Sequence, residues 1–152
     1  MERSGGVGEM EGERRAGTEE SRVTVGRATD RPVRIAIVDD DDGVRRVLRR
    51  VLERDHMEVV EFADGKSIAT GAADFDLVCL DLSLGGVSGL DVLKHLKAET
   101  PDVPVIMVTG NSDVDTVVAV MRAGADEYVT KPVDRDSLVS LIRRLLPQGR
   151  TR

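Results

Sequence analysis

The chain has 152 residues, 40% of them hydrophobic and 33% charged, and a formal net charge of −6 at pH 7. This is enough for one domain with a real core and too little for two ordinary ones. The acidic balance, with no stretch that combines clustered Lys/Arg and aromatics, argues against direct contact with nucleic acid. No apolar run approaches the roughly 18–20 residues of a membrane span, so neither membrane nor nucleic acid is expected as a partner.

Residues 1–32 carry many Gly, Glu and Arg, few large apolar residues and no periodicity. Such a segment cannot bury enough surface to offset the entropy of ordering it, and a disordered tail is predicted. It also lacks the apolar stretch of a signal peptide, so a cytoplasmic location is expected. From Val33 onward short apolar runs alternate with helical patterns. Strands are predicted near 33–38, 57–62, 75–80, 103–108 and 126–130. Between the first two, Val44, Val47, Leu48, Val51 and Leu52 form an apolar stripe at helical spacing. Residues 64–72, bracketed by Gly65 and Gly71, support a short helix at best. Leu90, Leu93 and Leu96 follow Ser88, a candidate N-cap. Val114, Val117, Val118 and Met121 follow Ser112 in the same way, with Gly124 placed to end that helix. Their spacing makes these valines core residues rather than interface. Leu138, Leu141, Ile142 and Leu145 define a last helix that stops near Pro147, leaving 147–152 as a C-terminal tail after a domain spanning 33–146.

Strands alternating with helices predict an α/β fold with a parallel sheet covered on both faces. With right-handed crossovers, the flavodoxin-like, doubly wound arrangement of five strands in the order 2-1-3-4-5, with five helices, is the common solution. In that order the first and third strands are neighbours. Asp39 and Asp40, which close the first strand, then converge with Asp81, which closes the third. Thr109 closes the fourth, and Lys131, joined to Pro132, follows the fifth. Ligands of open α/β sheets bind beyond this carboxyl edge.

Three carboxylates in one cleft repel one another unless a cation neutralises them. All-oxygen ligation suits Mg²⁺, which usually keeps positions for water and phosphate. Lys131 can pair with Asp81 at rest and with a phosphate oxygen later, and Thr109 can donate to another phosphate oxygen. An Asp carboxylate can attack phosphorus to give an acyl phosphate. The plain alternative is helix capping by the run Asp39 to Asp42, and for Asp41 and Asp42 capping is the preferred reading. The single Cys79 lies in an apolar run and reads as a small core hydrophobe. His56 and His95 are isolated, with no second His or Cys at ligand spacing, and are given no role.

The chain resembles a response-regulator receiver domain of two-component, histidine–aspartate phosphorelay signalling. The resemblance rests on Val38-Asp39-Asp40-Asp41, Leu80-Asp81-Leu82, Gly89-Leu90-Asp91-Val92-Leu93, Val108-Thr109-Gly110, and Gly124-Ala125-Asp126-Glu127-Tyr128 running into Lys131-Pro132. It covers roughly residues 33–146. It implies that Asp81 is the phosphoacceptor for a sensor histidine kinase or phosphotransfer protein. It also implies direct Mg²⁺ ligation by Asp40, Asp81 and the Ser83 backbone carbonyl, with Asp39 acting through water. Thr109 and Lys131 would be the switch hydroxyl and the phosphate-pairing lysine, Tyr128 the aromatic switch residue, and Lys131–Pro132 a cis peptide. Such a protein is not an enzyme in the ordinary sense: it catalyses its own phosphotransfer and autodephosphorylation. Its partner beyond the kinase is a downstream protein target, and homodimerisation on phosphorylation is possible. Two departures stand out. Gly85 followed by Gly86 occupies the place where many members carry Pro, which predicts a flexible loop. The sequence also ends soon after the last helix, which suits either a single-domain regulator or a fragment.

Two other functions compete. A degenerate receiver would serve only as a protein-binding module, although every required residue type is present. A haloacid-dehalogenase-type phosphohydrolase would use Asp39 and Asp41 as its Asp-x-Asp pair. Against it, Gly43 replaces the expected Thr or Val, and Asp81 is left without a purpose.

Overall fold

The computed structural model describes residues 31–69 and 71–147. The predicted disordered tail and the last residues of the predicted C-terminal tail thus fall outside the described residues, Arg31, Pro32 and Pro147 excepted. In chain order the elements are β1 (Arg34–Val38), α1 (Asp42–Arg54), β2 (Glu58–Phe62), α2 (Gly65–Ile68), a 3₁₀ turn (Ala72–Asp74), β3 (Leu77–Leu80), β4 (Ser83–Leu84), β5 (Val87–Ser88), α3 (Gly89–Glu99), β6 (Val105–Thr109), α4 (Val114–Arg122), β7 (Glu127–Thr130) and α5 (Arg135–Leu145). The main sheet has the order β2-β1-β3-β6-β7. All its pairs are parallel. This is the predicted 2-1-3-4-5 topology with five α-helices. No helix among the described residues is long and apolar enough to cross a membrane.

Side-chain alternation along the strands builds two cores. Ala36, Val38, Val78, Leu80, Val105 and Met107 pack with Ile68, Leu93, Leu96 and Val120 on one face. Ile35, Ile37, Leu77, Cys79, Ile106 and Val108 pack with Leu48, Leu52, Leu138 and Ile142 on the other. Cys79 is buried there, and loss of hydration pushes its thiol up to about 12. It is a core hydrophobe, as its apolar run predicts.

The helix ends follow their side-chain chemistry. Asp41 caps α1 by accepting from Gly43 N at 2.8 Å and Val44 N at 3.1 Å. Asp42 lies in the first turn of that helix. Ser88 caps α3 through Leu90 N, and Gly124, at φ +109°, reverses the chain after α4. The N-cap of α4 is Asp113 rather than Ser112, because the Asp113 carboxylate accepts from Thr116 N.

Two expectations are corrected. Helix α4 is not buried through its predicted valines: only Val120 is buried, while Val114 is 73% and Val118 42% exposed. The helix stands on the sheet through Val120, and helical spacing alone does not say which of two apolar stripes faces inward. The Gly85-Gly86 segment is not an open loop but the two-residue turn of the antiparallel hairpin β4–β5. Both glycines have positive φ, 56° and 73°, as the tightest hairpin turns require.

Candidate functional site

The sheet register places the acidic residues side by side. Val38 lies opposite Leu80, and the ladder continues one step further, with Asp81 N donating to Val38 O at 2.9 Å. On the other side Asp39 N donates to Phe62 O at 3.0 Å. Thr109 ends β6 in register with Thr130, and Lys131 N donates to Thr109 O at 2.9 Å. The four sequence-predicted polar sites therefore emerge at one edge of one sheet. Asp39, Asp40 and Asp81 each present a carboxylate oxygen within 4.8 Å of the others. Asp39, Asp81 and Thr109 are buried, whereas Asp40 is exposed.

Lys131 bridges this cluster. Its Nζ lies 2.8 Å from Asp39 Oδ2 and 3.4 Å from Asp81 Oδ2. Lys131 thus pairs with Asp81, as expected from the sequence, and more closely with Asp39. The more deeply buried carboxylate gains more from a counter-charge. Burial raises the Asp39 carboxyl above its ordinary range. The Lys131 bond and the Asp41 amide (Asp41 N to Oδ1, 2.9 Å) oppose this without cancelling it, and the Asp81 charge adds to it. Burial pulls the Lys131 ammonium down, but the Asp39 hydrogen bond and the two negative charges outweigh it and the net shift is upward.

The Asp39 shift has a definite sign in stability. A carboxyl whose folded pKa is raised takes up its proton first in the folded state. Ionised Asp39 therefore costs stability above that folded value, and the cost vanishes as pH falls to the ordinary 3.8. Without divalent cations, Asp39→Asn should be more stable than wild type to urea at pH 7, with the gap closing as pH is lowered towards 3.8. A variant less stable than wild type at pH 7 would contradict this.

The remaining predicted residues take their places around the cluster. Thr109 Oγ1 accepts weakly from Asn111 N at 3.4 Å. The Tyr128 hydroxyl donates to the Asn111 carbonyl, and its half-buried ring packs against the core beside α4. Burial raises its phenol pKa, with the charges of Asp113 and Asp81 adding to the shift. The Lys131–Pro132 peptide is cis. Gly89 N donates to Leu82 O at 2.7 Å, which in an antiparallel hairpin makes Ser83–Ser88 the pair without ladder bonds. The Ser83 carbonyl is then turned away from its partner strand and is left for another donor or a cation.

The donor set fits a hard divalent cation. It offers carboxylate oxygens of three residues and a backbone carbonyl, with no His or Cys to favour a softer metal. The same edge offers Lys131 and the Thr109 hydroxyl to a phosphate.

Sequence reasoning missed two residues. Gly89 opens α3 against the Asp81 backbone: a Cβ there would overlap the Asp81 carbonyl oxygen and come within 2.6 Å of Leu82 Cα. Its signals were its position directly after the N-cap Ser88 and its place at the head of the Gly89-Leu90-Asp91-Val92-Leu93 motif, neither of which discloses the close approach. Arg45, whose side chain is only 12% exposed, reaches the Asp39 carbonyl from α1. Its signal was its spacing, three residues before Leu48 and seven before Leu52 on the buried stripe.

A family model described as the response regulator receiver domain matches residues 35–143. Among curated relatives, the probable transcriptional regulatory protein TcrX of Mycobacterium tuberculosis is 35% identical over 122 residues, which is 79% of this chain and 52% of that protein. The DNA-binding response regulator MtrA of Mycolicibacterium smegmatis is 37% identical over 115 residues, 74% of this chain and 50% of that protein. The chain thus spans about half the length of these relatives. Among solved structures, a CheY-like receiver domain protein of Methanospirillum hungatei superposes with a TM-score of 0.71 at 31% identity, covering 78% of this chain and 97% of that one. The BeF3-activated DrrB receiver domain gives 0.70, also at 31% identity, over 76% and 97% of the two chains.

Proposed function

Since the chain belongs to the response regulator receiver domain family, we propose that Asp81 is its phosphoacceptor, charged by a histidine kinase or phosphotransfer protein with Mg²⁺ bound at the acidic cluster. The observation that carries this reading is the convergence of three carboxylates with the ion-paired Lys131 Nζ at the carboxyl edge of the sheet. Asp40, Asp81 and the Ser83 carbonyl would hold the cation, with Asp39 acting through water. The bound ion would offset charge on the carboxylates and on the incoming phosphoryl oxygens.

In the transfer, an Asp81 carboxylate oxygen forms the new bond to phosphorus while the bond from phosphorus to the donor group breaks. Lys131, already 3.4 Å from Asp81 Oδ2, can turn from Asp39 to a phosphoryl oxygen without crossing the site. Thr109 donates a hydrogen bond from its hydroxyl to another phosphoryl oxygen. Among the described residues that hydroxyl accepts just the long bond from Asn111, so little opposes its turning. Its movement would alter the packing of Tyr128, whose hydroxyl is tied to the same Asn111, and so reach α4 and β7. Phosphorylation on this account biases two arrangements of an existing surface. Catalysis is limited to the protein's own phosphotransfer and dephosphorylation, and the output is contact with a downstream protein or a second copy.

Intact mass after incubation with acetyl phosphate tests the reading. A gain of one phosphoryl group that requires Mg²⁺ and disappears with chelator is expected. A protein that takes no phosphate from acetyl phosphate or from any histidine kinase would instead be a receiver used only for binding.

A further inference from the structure

Asp39 has every polar atom engaged. Its N donates to Phe62 O, Oδ1 accepts from Asp41 N, and Oδ2 accepts from Lys131 Nζ. Its carbonyl oxygen accepts from Arg45 Nη1 at 2.5 Å. Asp40 is different. It is exposed, and no hydrogen bond or ion pair among the described residues holds its carboxylate, so the backbone, which sets its Cα–Cβ direction, decides which of its rotamers reach the cluster. The Asp39 carbonyl belongs to the peptide that links the two residues. A donor fixed on that oxygen sets the plane of the peptide, and with it the starting direction of both side chains.

Arg45 is built to be that fixed donor. Its Nε donates to Glu61 Oε1 at 3.0 Å, and Nη2 pairs with Asp42. Glu61 is itself held by Arg49, whose Nε lies 2.5 Å from Oε2. The guanidinium therefore spans α1, the edge strand β2 and the end of β1, with each nitrogen committed to a different partner. Its planar fork has no freedom left to drift.

We propose that Arg45 is a positioning residue for the divalent cation: by pinning the Asp39–Asp40 peptide it fixes the direction in which the Asp40 side chain leaves the backbone towards the cluster. The inference rests on the metal-binding reading of the cluster. It runs against simple electrostatics, which gives the test its force. A positive charge near the site repels a divalent cation, so a charge effect alone would make loss of Arg45 tighten binding. Loss of positioning weakens it, and groups that orient metal ligands typically matter by roughly 10–100-fold in affinity.

The experiment is an Mg²⁺ titration of the full chain followed by amide chemical shifts, with urea unfolding in chelator as a separate measure of stability. Arg45→Met keeps the apolar stem and should raise the Mg²⁺ Kd by roughly tenfold or more. Arg45→Lys should not restore it, since one ammonium cannot serve three partners. Glu61→Gln, which frees the guanidinium while leaving it in place, should weaken binding less but in the same direction. Arg45→Lys, which keeps the positive charge, decides the matter if Arg45→Met does not fold, because Glu61→Gln also removes a negative charge and would weaken binding on electrostatics alone. An Arg45→Met, Arg45→Lys or Glu61→Gln protein that is folded and binds Mg²⁺ as tightly as wild type, or more tightly, overturns the positioning role. Wild type that shows no Mg²⁺-dependent shifts at Asp39, Asp40 or Asp81 overturns the metal reading itself, a distinguishable failure.

Discussion

Asp81→Asn should abolish the Mg²⁺-dependent phosphoryl gain from acetyl phosphate completely rather than slow it. The carboxamide fills the same space at this buried position and keeps an oxygen for hydrogen bonding. It lacks the second anionic oxygen that attacks phosphorus and has no comparable nucleophile to offer. The fold should survive, because the substitution also removes a negative charge that now acts on Asp39. Unfolding in urea should therefore occur at the same or a higher midpoint than in wild type, which separates loss of chemistry from loss of structure. Intact mass on both proteins is the measurement. Label that persists in Asp81→Asn and disappears in Asp39→Asn would move the nucleophile to the first strand, as the phosphohydrolase reading requires.

The second large effect is expected at a residue with no chemistry of its own. In Gly89→Ala the new Cβ meets backbone, the Asp81 carbonyl oxygen and Leu82 Cα, and backbone in a central strand end cannot swing aside as a side chain can. We expect a loss of about 1–3 kcal/mol in unfolding free energy, the usual range for overpacking that forces main-chain movement. Because the displaced peptide carries the phosphoacceptor, phosphorylation of the molecules that remain folded should also slow. Gly65→Ala supplies the comparison: its Cβ would press on Cγ2 of Val92, a side chain rather than backbone, although β-branching leaves that valine little rotation in a helix. A Gly89→Ala urea midpoint equal to that of wild type would mean that the Gly89 contact relaxes cheaply.

These two predictions differ in how visible their residues were beforehand. Asp81, Thr109 and Lys131 were legible because each follows an apolar run, and strand parity with a parallel topology carries such residues to one edge. The strand order was legible for the same reason, since alternating short runs and helical stripes leave few arrangements. What could not be read depended on close approach rather than on pattern. Gly89 matters through a contact with a backbone eight positions earlier. Arg45 matters through a carbonyl that no side-chain type advertises. The α4 valines failed in another way: Val114 and Val118 have the right spacing for a core stripe but stand exposed, and only contact with the sheet selects Val120. Gly85-Gly86 read as looseness in the chain, whereas paired glycines at positive φ let a tight hairpin form. There a Cβ on Gly85 would sit 3.5 Å from Asp40 Oδ2, so the turn lies against the acidic cluster.

Cys79 is the chain's one thiol, two residues before the proposed acceptor and sealed within the central strands. In the closed molecule neither access nor ionisation favours its attack on an alkylating reagent. Labelling must then wait until β3 parts from its neighbours, and its rate measures how often the strand that carries Asp81 opens. The protein thus contains its own clock for breathing of the phosphorylation site, readable by mass in the same samples that report the phosphoryl group, with no engineered probe.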